Sequence, residues 1–450
     1  MHFVQNLENI LWVAVLIGVM INIHELGHFW VARFFDVRVE TFSFGFGPRL
    51  FGFRRGETDY RFSLIPFGGY VKMAGDQTGG EQAEEENVAP DPRSVLAKPR
   101  WQRLLIAFAG PFMNMALAVG LLTGMYMVSF PKLSPADMAP VIGGVVPDSP
   151  AAKAGIRAGD RIVKLDGKID PNWEDVTLKE DTSAYRAVPI TVQRDGREFE
   201  TTVTPTLDEL SGVGSAGWAK RGEVELYNVE AGMPAGKAGL KPGDIVLAAN
   251  GQPIDSTLKL QEITKASGGQ PVTIEYERKG RKNSATIQPV FEKKDGPARW
   301  MIGVGPALKP HLVNTRLSLP AAFSESLREN KKGAMILGKF LEGLVQRRMS
   351  AKNITGPIGM IQLSGNAARE GASVFLGLMA MVSLQLAIFN LLPIPILDGG
   401  VILMLLIEMA MQRDLSMNVK EAVLKLGFVF IMLIVAFVVY NDIAKMLPSG

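Results

Sequence analysis

The chain has 450 residues, of which 47% are apolar and 21% charged, and a formal net charge of +3. That length allows two to four structural units, and so small a charge gives no footing for a nucleic-acid partner. Cysteine is absent, which excludes disulfides, thiolate nucleophiles and thiolate zinc sites, and the only histidines are His2, His24, His28 and His311.

From Ile10 to Ile23 no charged residue occurs, and Phe29-Trp30-Val31 resumes the apolar run. No Lys or Arg precedes this run and no A-x-A site follows it, so a retained transmembrane helix over about 10–35 is expected rather than a cleaved signal. Inside it lies His24-Glu25-Leu26-Gly27-His28. Residues four apart share a helix face, so His24 and His28 are spaced to grip one zinc ion. Glu25 stands beside them, where it can take a proton from a metal-bound water. Ionisable groups at membrane depth cost several kcal/mol and persist mainly where they have a task.

Residues 36–103 are polar and rich in basic side chains, among them Arg38, Arg49, Arg54, Arg55 and Arg61. Phe42, Phe44 and Phe46 alternate with small residues, and Tyr60, Phe62 and Leu64 with polar ones, which is the period of half-buried strands. Gly45, Gly47 and Gly68-Gly69 are read as turns between them, giving hairpins. A flexible acidic loop is expected over 79–92. Leu104–Val128 is a second span, with Gly110-Pro111 and Asn114 inside it. These residues fit either a packing notch in a membrane helix or a group facing the site.

From Pro131 to about Ser318 the chain turns soluble in character. Ser149–Asp160 (SPAAKAGIRAGD) matches Met233–Asp244 (MPAGKAGLKPGD), with Pro150 and Pro234 84 residues apart. A repeat of that length is a pair of small domains, at 131–220 and 221–318. The pattern resembles PDZ domains of the bacterial type, which take peptide strands onto a sheet edge; a purely steric role is the other reading. Residues 319–372 are read as amphipathic connecting helices, too short in their apolar part to span a bilayer. A third span over about 373–395 runs into Asn390-Leu-Leu-Pro-Ile-Pro-Ile-Leu-Asp398-Gly-Gly400. Its prolines break the helix and free backbone groups that only protein or a watery cavity can satisfy. A fourth span is expected over about 424–447. The basic loop 36–103 is assigned to the cytoplasmic side, which puts the repeats and both termini outside.

A catalytic zinc site needs three protein ligands and an open position. With cysteine absent and His2 and His311 in poor contexts, Asp398 at the helix break is the strongest third donor; a helix-capping acid is its ordinary role. The combination of H-E-x-x-H on the first span, N-x-x-P-x-P-x-L-D-G-G on a later one, Gly45-Phe46-Gly47, Pro66–Met73, Gly110-Pro111-x-x-Asn114 and tandem PDZ-like repeats resembles the site-2 protease family of intramembrane zinc metalloproteases. The resemblance covers nearly the whole chain. It implies four transmembrane helices with membrane-associated β-hairpins and two inserted α+β PDZ domains, the membrane part being split into 1–130 and 373–450. It further implies one zinc ion on His24, His28 and Asp398, Glu25 as general base, and Asn390 along the substrate path. The implied substrates are single-span membrane proteins already trimmed by another protease, of anti-sigma-factor type, and signal-peptide remnants. The implied location is a bacterial inner membrane, active site towards the cytoplasm and PDZ domains in the periplasm. A non-catalytic PDZ scaffold with a structural metal is the alternative. A metal transporter ranks behind both, because the spans hold few ionisable groups.

Overall fold

The computed structural model describes residues 2–75, 91–208, 212–292, 298–346 and 355–446. The acidic loop expected over 79–92 lies outside them up to residue 90. The chain divides into one unit of Met1–Phe130, Arg316–Gly338 and Ile354–Pro448 and a second that holds Pro131–Thr315 and Lys339–Asn353.

In the first unit, α1 (His2–Phe34) is followed by β1 (Val39–Arg55), β2 (Thr58–Met73) and α2 (Arg100–Val128). The chain returns with α3 (Leu319–Val345), α4 (Pro357–Glu370), α5 (Ala372–Asn390), α6 (Asp398–Met411) and α7 (Met417–Met446). Among the described residues, four stretches are long and apolar enough to cross a membrane: Leu7–Phe34, Arg100–Val128, Ala372–Asn390 and Met417–Ala444. Helix α7 begins at Met417, ahead of the expected 424, because an apolar run marks the span and not the helix. Its first turns carry Lys420, whose Nζ lies 2.7 Å from the buried Glu408 of α6. Where α1, α4 and α5 meet, Leu16, Met20, Ala367, Phe375, Leu378 and Met379 form an apolar core.

Helix α4 is pinned from α7. The buried Asp442 carboxylate accepts the N–H groups of Gly356 (3.0 Å), Ile358 (3.0 Å) and Gly359 (3.1 Å). These are the orphan donors at a helix start, where a negative charge is also favoured by the dipole. Asp442→Ala leaves them buried and unpaired, and is expected to cost about 2 kcal/mol. Thermal unfolding of the purified variant checks this, with Asp442→Asn expected to fall between it and the parent.

Strands β1 and β2 pair over their whole length as one long hairpin that folds over on itself. Phe42 pairs with both Val71 and Tyr60, and Phe53 pairs with Tyr60. The two long strands therefore fold over into a four-segment antiparallel sheet, ordered 69–73, 41–44, 58–62, 51–55. Gly45 (φ 93°), Gly47 (φ 87°) and Gly68 (φ 137°), expected as turns, are bends inside these strands, and the hairpin turn holds Gly56 (φ 64°). Glycine supplies the bend because a Cβ at Gly45 would lie 2.6 Å from Ile65 O. The inner half packs on α1 and α2, with Phe29, Val37, Val39, Val71 and Ile106 buried together. In the outer half, Leu50, Phe51 and Phe53 are exposed, Phe51 stacking on Phe62 and Phe53 on Tyr60.

The second unit carries the repeats. In the first, Arg161–Leu165, Val188–Arg194 and Arg197–Val203 form an antiparallel sheet, while Trp218–Lys220 pairs with Ile142–Val145. In the second, Val304–Leu308 is the edge of a sheet built on Val224–Val229, Ile245–Ala249, Val272–Arg278 and Arg281–Ile287. Each has its own apolar core, around Ile162 and Val192 or around Leu226 and Ile274. The repeated Gly-Asp explains itself here. Asp160 accepts two bonds from Arg194 at 2.7 Å each, and Asp244 two from Arg278 at 2.6 and 2.7 Å. Both aspartates also accept the backbone N–H three residues earlier, so each buried charge is fully met.

Candidate metal centre

Two histidines four residues apart on α1 and one carboxylate at the first residue of α6 come together inside the membrane unit. His24 Nε2 lies 3.0 Å from Asp398 Oδ2, His28 Nε2 lies 3.4 Å from Asp398 Oδ1, and the two Nε2 atoms are 3.1 Å apart. Both histidines are buried, and the Asp398 side chain is 20% exposed. Lone-pair donors this close share either a proton or a cation placed between them. With Zn–N and Zn–O bonds near 2.0–2.1 Å, ligand atoms on a tetrahedral ion stand about 3.3 Å apart. The separations of 3.0 and 3.4 Å from the two imidazoles to the two carboxylate oxygens, and of 3.1 Å between the imidazoles, are close to that ligand spacing. Among the described residues, only these three His and acidic side chains converge closely enough to share a metal.

The surroundings set each donor. His28 Nδ1 lies 2.7 Å from Ile106 O; as a neutral ring it donates there and leaves Nε2 bare towards the cluster. On the same helix α2, a Cβ added to Gly110 would sit 2.3 Å from His28 Nε2 and 2.7 Å from His24 Cε1. Gly27 similarly lets α1 approach α2, since a Cβ there would meet Ala109 O at 2.3 Å. Small residues where membrane helices cross allow this close contact. Asp398 is delivered by the break after α5. Ile396 takes φ 86°, an unusual conformation for a β-branched residue, and Gly399 and Gly400 fold against the carbonyls of Leu392 and Ile394.

Glu25 is half-buried, and its Oε2 accepts the N–H of Val71 at 3.1 Å. It is thus tied to the edge segment 69–73 of the sheet, next in sequence to a cluster histidine but outside the ligand triangle. Asn114 belongs to the site: it is fully buried, with its Nδ2 3.3 Å from His24 Nδ1, and Ser383 Oγ of α5 donates to its backbone oxygen at 2.9 Å. Of the two readings left open by the sequence, the site-facing one describes Asn114 and the packing notch describes Gly110. Ile106 and Ser383 were not readable; a backbone acceptor has no side-chain signature, and a serine in a membrane helix is ordinary. Asn390 is the last residue of α5, half-buried where the helix gives way to the break. His311 lies in the second unit between Asp137 and Glu223, whose carboxylates favour its protonated form.

Comparison with known proteins gives the family. The peptidase family M50 profile matches residues 12–434. A protein of Neisseria meningitidis serogroup A named as a zinc metalloprotease is 32% identical over 96% of this chain and 98% of its own length. The regulator of sigma-E protease RseP of Salmonella typhimurium is 32% identical over 97% of this chain and all of its own, and that of Escherichia coli K12 is 31% identical over 96% and 97%. Among solved structures, the PDZ domain of the SdrC-like protein Lin2157 from Listeria innocua is 26% identical over 19% of this chain and 92% of its own, with a TM-score of 0.17. The chain is therefore a membrane zinc metalloprotease, which sets aside the non-catalytic scaffold. It belongs to peptidase family M50.

Proposed function

We propose that the chain is an intramembrane endopeptidase in which His24, His28 and Asp398 hold one zinc ion and Glu25 is the general base. The observation that carries this is the convergence of three protein donors, the two imidazoles 3.0 and 3.4 Å from the Asp398 carboxylate oxygens, one donor fewer than a closed structural site requires. Zinc held there supplies a Lewis acid and lowers the pKa of water towards neutrality. Glu25, beside His24 and steadied by Val71 N–H, takes the proton from the attacking water and returns it to the leaving amine. A transmembrane helix hides its carbonyls in its own hydrogen bonds, so a substrate must be extended before attack. Among the described residues, segment 69–73 pairs with 41–44 on one side and meets Glu25 on the other, so its edge suits an extended substrate segment. Asn390, at the helix break, is assigned to the substrate path.

The substrates we infer are single-span membrane proteins trimmed by another protease, of anti-sigma-factor type, and signal-peptide remnants. The names of the relatives support a sigma-E-linked role. We place the protein in a bacterial inner membrane, the metal centre towards the cytoplasm and the repeats, read as two PDZ domains, in the periplasm. The basic side chains between α1 and α2 support that orientation. The deciding experiment compares release of a cytoplasmic fragment from two membrane reporters, one with a short outer domain and one with a long one. Zinc-dependent cleavage of the short reporter alone is expected. Equal cleavage of both would remove the steric role of the PDZ pair, that of holding off substrates with a bulky outer domain, and cleavage that survives zinc removal would remove the metal mechanism.

The tautomer logic assigns Asn114 a positioning role. If His24 offers Nε2 to the metal, its neutral ring carries the proton on Nδ1, and the group that meets it must be an acceptor. Asn114 Oδ1 has no partner among the described residues, and turning the amide over brings it to the imidazole N–H. Asn114→Leu is expected to weaken zinc binding about 10- to 100-fold, while Asn114→Asp, which keeps an acceptor, retains it. Competition with a chelator measures both; equal loss in the two variants would contradict the assignment.

A further inference from the structure

The two repeats differ at one point that their common fold exposes. In the first, Trp218–Lys220 pairs along one side with Ile142–Val145. Gly217 O accepts from Val146 N, and Arg221 N donates to Val141 O, so these groups face that partner. Strand alternation turns the backbone groups of Trp218 and Lys220 the other way, where no strand of the described residues pairs. Beside this open edge stands the helix Trp173–Asp181. Glu180 Oε1 accepts the N–H of Ala216 at 2.7 Å, and Oε2 accepts the indole N–H of Trp218 at 2.7 Å. The loop lies so close to the helix end that a Cβ on Gly214 would be 2.3 Å from Glu180 O. A carboxylate from within the chain thus sits at the head of a strand with one open edge and takes its loop's donors.

A peptide that adds to a sheet edge pairs its backbone with the strand, and its terminal carboxylate is captured by backbone N–H groups. We propose that the first repeat holds a site for the free carboxyl end of an extended peptide, and that Glu180 occupies it as an internal competitor which the peptide must displace. This rests on reading the repeats as peptide-binding domains.

The second repeat is the comparison. Ala235 N to Ile302 O (2.8 Å) and Glu230 N to Gly303 O (3.0 Å) match Ala151 N to Ala216 O (2.8 Å) and Val146 N to Gly217 O (2.7 Å). Gly217 and Gly303 share φ 79°. Yet the residue 84 positions after Glu180 is Thr264, whose hydroxyl donates to Leu260 O of its own helix at 2.8 Å. The helix beside the edge strand Val304–Leu308 therefore brings no carboxylate at the position matching Glu180.

The competitor is also poised to lose its charge. Burial pushes the Glu180 carboxyl up to about 7, and the neighbouring Asp181, itself raised to about 6 by burial, adds to the shift. The facing loop, Gly214 to Trp218, brings no ionisable side chain. Below pH 7 the two bonds lose their charge assistance, while the peptide's own α-carboxyl, with a pKa of about 3.5, stays ionised.

The test uses the full chain in detergent micelles with an octapeptide that bears a benzophenone and ends in valine, as free acid and as amide. At pH 8 the parent is expected to label within the second repeat, and Glu180→Ala to raise labelling of 214–220 at least ten-fold with the free acid only. The parent at pH 6 should shift the same way. Glu180→Gln, expected to give a smaller rise, covers the case in which the alanine variant melts early. Free-acid labelling of 214–220 no greater in the variants than in the parent at pH 8, or labelling equal with the amide, would overturn the proposal. Labelling confined to the second repeat in every protein would remove the competitor but keep the peptide-binding reading. No labelling of either repeat would remove both.

Discussion

Glu25→Gln is expected to keep its zinc and to lose about a thousand-fold or more in cleavage rate. A carboxamide has nearly the volume of a carboxylate and can still accept the Val71 N–H, so the contact at 3.1 Å between α1 and the sheet survives. What it cannot do is take a proton, and general-base contributions of 10²–10⁴ are typical. The ligand triangle does not include Glu25, so metal content should be unchanged. Metal analysis and reporter cleavage on the same preparation separate the two effects. Cleavage within ten-fold of the parent would remove Glu25 from the chemistry.

Gly110→Ala should do the opposite and empty the site through one methyl group. Its Cβ would lie 2.3 Å from His28 Nε2 and 2.6 Å from His28 Cε1, closer than non-bonded atoms approach, and the backbone of α2 cannot retreat without breaking its own ladder. The ring must turn, which takes Nε2 out of the triangle and weakens its bond to Ile106 O. Loss of a ligand should lower zinc affinity by at least 100-fold, and activity with it. Gly120→Ala on the same helix is the control, since nothing lies within 4 Å of its Cβ. It should retain metal, activity and melting temperature. Full zinc content in Gly110→Ala would show that the packing at this crossing is looser than these distances require.

Much of this was legible beforehand because the informative residues are few and chemically distinct. Two of only four histidines fall at helical spacing in an apolar span, and an aspartate follows a proline-broken one. The structure brings those three side chains together. The environment that orients them was less legible, for identifiable reasons. Ile106 acts through its carbonyl, and every residue has one. Gly110 acts by what it lacks, and a glycine in a membrane helix has several ordinary explanations. The sheet misled because glycine marks turns and strand bends alike. At Gly45 and Gly68 the distinction depends on the neighbouring segments, Ile65 O and the ring of Phe46, which local pattern does not contain. Glu180 was invisible for a related reason: its significance comes from Ala216 and Trp218, more than thirty residues away.

Asp398 follows His28 by 370 residues, and this sets a schedule for biosynthesis. At about 5–20 residues per second, the first helix waits roughly 20–70 s for the residue that completes its triangle. With the proposed ligands and base, a nascent chain would carry Glu25 and two imidazoles through that interval without the third donor, and cleavage is expected only once Asp398 is in place. Metal capture then reports that the last helices have docked, and faults as remote as Asp442 should surface as zinc deficiency.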